Sequence, residues 1–354
     1  MRCSVRVLLA LMFVGVVPIS AVFAQGAAGG SSAPAHLDVA TQPLTAQAPL
    51  FIAQDKGYFA QQGLDVAFQF VGGGTINLQL LAIGQADIAT GSPGPGLWNA
   101  VGRGIPVKLV AAISSLSPDP ATGFTSALWL ALPTRASETG QIKTYADLKG
   151  KRIGVLGLHL GTEIVVDAAL ALGGLTLRDV ELKELRGPEV LIAFVNGAID
   201  AATEIEPFVT QGASEGILTR WKNAAEITPG RAAAVMMFGP RLVEHGRDLG
   251  ERFMTAWTKA ARDYNDAFGP KQVGEDRVIQ ILAAHTEVKD LDLYRKMSWH
   301  YINPNCSAST DALRLDIAWD LKRGYIEKEP DLNAVIDEGY CAAAIRTLGK
   351  YQAP

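Results

Sequence analysis

Residues 36–98 read HLDVATQPLTAQAPLFIAQDKGYFAQQGLDVAFQFVGGGTINLQLLAIGQADIATGSPGPGLW. Three apolar runs in it, at 37–40, 64–71 and 86–90, are short, rich in Val, Ile or Phe, and bounded by Gly, Pro or Asn, the pattern of buried strands. Helical spacing fills the gaps at 49–61 and 75–83. Strands alternating with helices predict a parallel sheet joined by right-handed crossovers. The ligand crevice of such a sheet lies at the loops leaving the carboxyl ends of its strands. Those loops, 41–48, 72–74 and 91–96, are small and polar, and suit a small molecule better than a core.

The first strand with its Gln-containing loop, then FIAQDKGYFAQQGLDV, GGGT and GQADIATGS, resembles the periplasmic substrate-binding proteins of ABC importers. The group it is most similar to is the NMT1/THI5-like family of sulfonate, nitrate, taurine and thiamine-precursor binders. The likeness runs over residues 36–242, with a looser helical tail beyond. It implies the α/β, two-lobe type II fold of these binding proteins, each lobe a mostly parallel sheet flanked by helices. It also implies a protein that takes a small molecule between its lobes and hands it to the transmembrane subunits of an ABC permease. Relatives on the same fold that make the thiamine pyrimidine or act in menaquinone synthesis leave an enzyme as the alternative, and a periplasmic ligand sensor is another. The Cys-rich loop of the yeast-type pyrimidine synthases is missing from this sequence.

Beyond residue 98 the same alternation continues. Strands are expected at 106–113 and 126–132, the second crossing into another lobe, and then at 152–156, 180–185 and 198–202 with helices at 162–172, 189–196 and 208–212. FVNGAIDAATEIEPF echoes LLAIGQADIATGSPG, so the second lobe repeats the logic of the first. The apolar run AAAVMMF at 232–238 leads the chain back. Six helical segments from Pro240 onward should pack outside the first lobe; Trp257, Ala260, Ala261 and Tyr264 make one apolar stripe among them. The expected layout is 1–24 as a signal peptide, 25–36 as a flexible leader, 37–126 with 239–354 as lobe 1, and 127–238 as lobe 2.

The amino terminus supports export. Arg2 and Arg6 form a positive n-region, 7–17 is an apolar h-region, and Val22-Phe23-Ala24 is a small-residue cleavage site. An apolar run of that length is too short to span a bilayer. The chain has 48% hydrophobic and 19% charged residues, as a soluble globular protein has, with a net charge of −4. No basic patch invites nucleic acid. Cys306 and Cys341 remain after the leader, in an oxidising periplasm, either as a disulfide or as two isolated thiols. Neither stands at metal-ligand spacing. A monomer is expected.

Candidate ligand residues sit at the strand-end loops. Gly73, Gly74 and Thr75 form either a bare tight turn or a helix start aimed at an anion, with Thr75 as its cap. Gly161 and Thr162 occupy the matching place in the second lobe, beside His159, which faces either the crevice or a neighbouring loop. Arg186 follows a strand directly and is either a clamp on a carboxylate or sulfonate or a solvated surface residue. Glu204 and Glu206 flank Ile205, so both either point into the cleft or pair with a base. Gln42, Gln47 and Ser92 are neutral polar candidates. A ligand satisfying the helix starts and the glutamates together would be zwitterionic or heteroaromatic, though a simple anion suits the helix starts alone. No G-x-S-x-G, Walker loop, H-E-x-x-H or G-x-G-x-x-G occurs, and the five histidines are scattered, so the reading is a binder with neither cofactor nor catalytic set.

Overall fold

A computed structural model describes residues 33–72, 74–116 and 124–352, apart from the side chains of residues 74 and 75. The expected signal peptide and most of the leader lie outside these residues. The strands are β1 (Ala35–Thr41), β2 (Leu64–Phe70), β3 (Ile88–Gly91), β4 (Lys108–Leu116), β5 (Leu128–Pro133), β6 (Arg152–Val155), β7 (Glu181–Glu184), β8 (Ala201–Ile205), β9 (Leu218–Asn223) and β10 (Arg231–Phe238).

They form two five-stranded sheets of one design, ordered β2-β1-β3-β10-β4 and β7-β6-β8-β5-β9. In the first, β1 runs parallel to β2 and β3, and β10 lies antiparallel between β3 and β4. In the second, β6 runs parallel to β7 and β8, and β5 lies antiparallel between β8 and β9. Four strands of each sheet therefore share a direction, and the reversed strand is the one arriving from the other sheet. The chain crosses between sheets twice, before β5 and before β10.

Three points of the sequence reading need correcting. The lobe boundary at residue 238 does not follow the sheets, because β10 pairs with β3 and β4 along its whole length and belongs to the first sheet. The strand β9 has no counterpart in the sequence reading: LTRWKN carries two cations and no unbroken apolar run, since it is an edge strand with one partner, β5. The helix expected over 49–61 breaks at Gly57, whose φ of 70° stands between Ala48–Asp55 and Tyr58–Gln61.

The tail packs on the first sheet. The Arg247–Phe268 helix buries Phe253, Trp257, Ala260, Ala261 and Tyr264 against the Ala48–Asp55 helix, and Phe253 stacks on Phe59 with centroids 4.9 Å apart. The Gly339–Leu348 helix, also unread in the sequence, lies on the same long helix. Cys306 and Cys341 are buried and joined by a disulfide, their Cα atoms 5.4 Å apart. It closes a loop of 35 residues. Replacing both cysteines by alanine should lower the unfolding free energy by roughly 4 kcal/mol on the chain-entropy account. Urea unfolding checks this, and an unchanged midpoint would show that the bridge contributes nothing.

Candidate functional site

The carboxyl ends of the parallel strands of both sheets converge on one cavity of about 550 Å³. From the first sheet come Gln42 after β1, Val71 and Gly72 after β2, Ser92 after β3, and Ser114 and Leu116 at the end of β4. From the second come Leu156 and Gly157 after β6, Arg186 after β7, and Ile205 at the end of β8. The reversed strands β5 and β10 bring their amino ends instead, Leu128 and Arg231. Topology alone thus gathers loops from distant parts of the chain, as the strand-end rule requires.

Of the sequence candidates, Gln42, Gln47, Ser92, Gly161, Thr162 and Arg186 line the cavity. Gln47 is buried and its Oε1 has no hydrogen-bond partner among the described residues. The Ser92 hydroxyl donates to the Ala233 carbonyl at 3.1 Å. Gly161 opens the Gly161–Leu172 helix, but Leu160 is its N-cap; the Thr162 hydroxyl donates back to the Gly157 carbonyl at 3.4 Å. Arg186 is exposed and makes no ion pair among the described residues, and its guanidinium lies over Gly72. A side chain at Gly72 would push that guanidinium, the far end of a flexible side chain, out of its place. Gly73 lies outside the described residues; Gly74 begins the Gly74–Ala82 helix, and the Thr75 hydroxyl is not described.

The remaining candidates are engaged elsewhere. His159 adopts φ 61°, its N–H donates to Glu163 Oε2 at 2.7 Å, and its ring sits edge-on to Tyr325 with centroids 4.0 Å apart. It therefore faces the neighbouring segment. Glu204 and Glu206 do not point together into the cleft. Ile205 lines the cavity, and alternation along β8 sends Glu204 to the opposite face, where it is fully buried. Burial pushes the Glu204 carboxyl well above the usual carboxylate range. Glu206 lies past the strand end and is equally buried. It accepts from the Thr210 N–H and hydroxyl, both at 2.9 Å, from Arg220 at 3.5 Å, and from the Ser298 N–H at 3.2 Å. It joins the second sheet's loops to the tail, and burial raises its pKa as well.

Among the cavity residues that sequence reasoning missed are Ser114, Arg231, His300 and Asp316. The Ser114 hydroxyl and His300 Nδ1 are buried without partners among the described residues. Burial lowers the His300 pKa to about 4, so its ring is neutral near pH 7. Arg231 pairs with Asp316, whose pKa burial pushes up to about 7. One signal was available: Asp316 and Asp320 fall on the same face of the Thr310–Arg323 helix as Ala312, Leu313 and Ile317. His300, in SWHYINPNC, has no periodic context to betray it.

A model of the family described as NMT1/THI5 like matches residues 45–266, more than half of the sequence. The chain belongs to the NMT1/THI5-like family. Within reach of this family's members, it is 31% identical over 158 residues to the 4-amino-5-hydroxymethyl-2-methylpyrimidine phosphate synthase of Uromyces fabae, 45% of this chain and 42% of that one. It is 32% identical over 152 residues to a Brucella abortus protein named provisionally as a binding protein, 43% of this chain and 41% of that one. The chain thus spans less than half the length of these curated relatives. Among solved structures it is similar to the ligand-binding component of an ABC-type import system from Staphylococcus aureus, with zinc bound, at a TM-score of 0.71 and 12% identity, covering 88% of this chain and 99% of that one. That likeness gives the family member its fold, the periplasmic-binding-protein fold expected from the sequence. Among the described residues no group of three or more His, Cys, Asp or Glu is placed to hold a metal ion, and no helix is long and apolar enough to cross a membrane.

The neutral, buried His300 has a pH signature. Its folded pKa of about 4 lies below the ordinary 6.5, so as pH falls the unfolded chain takes up the proton first. The stability tied to this residue is whole above about pH 6.5 and is lost as pH falls toward about 4. His300→Asn, which does not titrate, should therefore lose less melting temperature than the wild type on acidification through that window. Equal losses in the two proteins would contradict a neutral, buried imidazole.

Proposed function

We propose that this chain is an extracytoplasmic solute-binding protein that closes two lobes on a small polar organic molecule and delivers it to an ABC permease. The observation that carries the reading is the cavity itself: it is lined from both sheets, and three of its residues, Gln47, Ser114 and His300, each carry a buried polar atom with no partner among the described residues. A buried polar atom left unpaired costs about 1–3 kcal/mol, so a solute that bonds to these residues satisfies groups the fold itself leaves unpaired. The lobes are residues 37–126 with the chain from β10 onward, and residues 127–230. They hinge at the two crossovers before β5 and β10, and the solute favours the closed form by its higher affinity for it. The export segment read at 1–24 supports a periplasmic location, and the protein acts as a monomer.

The ligand is a heterocycle with hydrogen-bonding edges. Gln47, Ser114 and His300 are uncharged, Leu116, Leu156 and Ile205 supply apolar walls, and Arg186 at the mouth answers an anionic substituent. The pyrimidine in the names of the Uromyces relative and of a Saccharomyces cerevisiae relative is of this kind. Those names also support a second reading, that the chain is itself a synthase.

In thermal melts, 4-amino-5-hydroxymethyl-2-methylpyrimidine at a hundredfold excess over its Kd should raise the melting temperature by roughly 5 °C. Gln47→Ala should remove most of that rise. The pyrimidine should be recovered unchanged; a product accumulating with time and protein would favour the synthase, and no stabilisation by any small polar solute would sink the binding-protein reading.

A further inference from the structure

The tail beyond the family-matched residues returns to build one end of the cavity. Residues 298–307 run beside β4: Ser115 and Tyr301 form an antiparallel bridge, the Ser115 N–H donates to the Tyr301 carbonyl at 3.0 Å, and the Ala112 N–H donates to the Ser307 carbonyl at 2.7 Å. His300 is one residue from that bridge. It lines the cavity and is 4% exposed; the Tyr264 hydroxyl donates to its backbone carbonyl at 2.9 Å, and its Nδ1 is buried with no partner among the described residues. Farther on, the Thr310–Arg323 helix sets Asp316 against Arg231, and both line the cavity near the end of β4. One turn later Asp320 accepts from the Trp98 indole N–H at 2.9 Å.

The charges at this end decide what it can hold. The cation at this end, Arg231, already faces Asp316, with Asp320 behind it; Arg186, the other described arginine of the cavity, stands after β7 on the second sheet. The imidazole of His300 is kept neutral by its burial. An inorganic oxyanion held against His300 and Asp316, away from Arg186, would shed its water beside a cation that is already paired, which is costly. A molecule offering ring nitrogens and N–H or O–H groups meets the reverse: His300 and Ser114 can each donate or accept, and the Asp316 carboxyl can accept.

We propose that the tail is the selecting element of this binding site, with His300 and Asp316 recognising an uncharged, hydrogen-bonding edge of a small heterocycle and disfavouring oxyanions. The proposal rests on the binding-protein reading above, yet it assigns the choice of ligand to residues outside the part of the chain that defines the family.

Isothermal titration at neutral pH tests it with three probes: 4-amino-5-hydroxymethyl-2-methylpyrimidine, taurine and nitrate. The wild type should prefer the pyrimidine. His300→Ala should weaken pyrimidine binding at least tenfold, as loss of one buried hydrogen bond does, while His300→Asn, whose amide lies near the position of Nδ1, should stay within about threefold. Asp316→Asn, which frees Arg231, should shift preference toward taurine or nitrate by about tenfold. Unchanged pyrimidine affinity in folded His300→Ala would overturn the proposal and leave the binding-protein reading standing, as would a wild type that prefers nitrate or taurine. Failure of all three probes to bind the wild type would overturn the proposal, and the thermal melts would then decide the wider reading independently.

Discussion

The constraint on which this structure turns is desolvation of polar atoms that the fold itself does not satisfy. Gln47 Oε1, Ser114 Oγ and His300 Nδ1 are removed from water and given no partner among the described residues. Nearly all buried polar groups in folded proteins find a partner, and each exception calls for an explanation. The residues that carry them come from the first helical segment, the end of β4 and the tail, positions far apart in sequence, yet all three line one cavity. A binding protein needs such unfinished hydrogen bonding, because solute and water compete for it and the lobes can be held closed by the winner.

The two-sheet topology makes that meeting possible. Each sheet takes in one reversed strand from the other, so the strand ends of both sheets, Leu116, Leu128 and Arg231 among them, line the cavity. The tail then ties the halves together. The Trp319 indole N–H donates to Asp167 at 2.8 Å, Arg323 pairs with the same carboxylate, and the Tyr325 hydroxyl donates to Glu163 at 3.1 Å. On another side, Glu206 accepts from the Ser298 N–H, and the Thr45 hydroxyl donates to the Glu206 carbonyl at 3.2 Å. The Asp167 and Glu206 carboxylates are at most partly exposed, so each contact is worth more than a surface ion pair.

The sequence made much of this legible, and the reasons are local. Strands buried on both faces, such as β1 and β3, announce themselves as apolar runs, and the loops after them are positioned by the direction of the sheet. Gln47, Ser92 and Arg186 were therefore within reach of sequence reasoning. The edge strand β9 was not, since pairing on one side only leaves its composition free to be polar. Glu204 and Glu206 misled because two residues of one type around Ile205 look symmetric, whereas the strand ends between them and each carboxyl is absorbed by its own surroundings. His300 and Asp316 lie where helical periodicity reads as packing, and only the return of the tail to β4 shows that they serve the cavity.

The measurement that bears most directly on the account is a crystal structure grown with the solute that raises the melting temperature most. The account predicts that solute between the two sheets, within hydrogen-bond distance of Gln47, Ser114 and His300, with the Trp319–Asp167 contact made. A solute seated on an outer face, or a cavity holding only water while the solute is bound elsewhere, would contradict it.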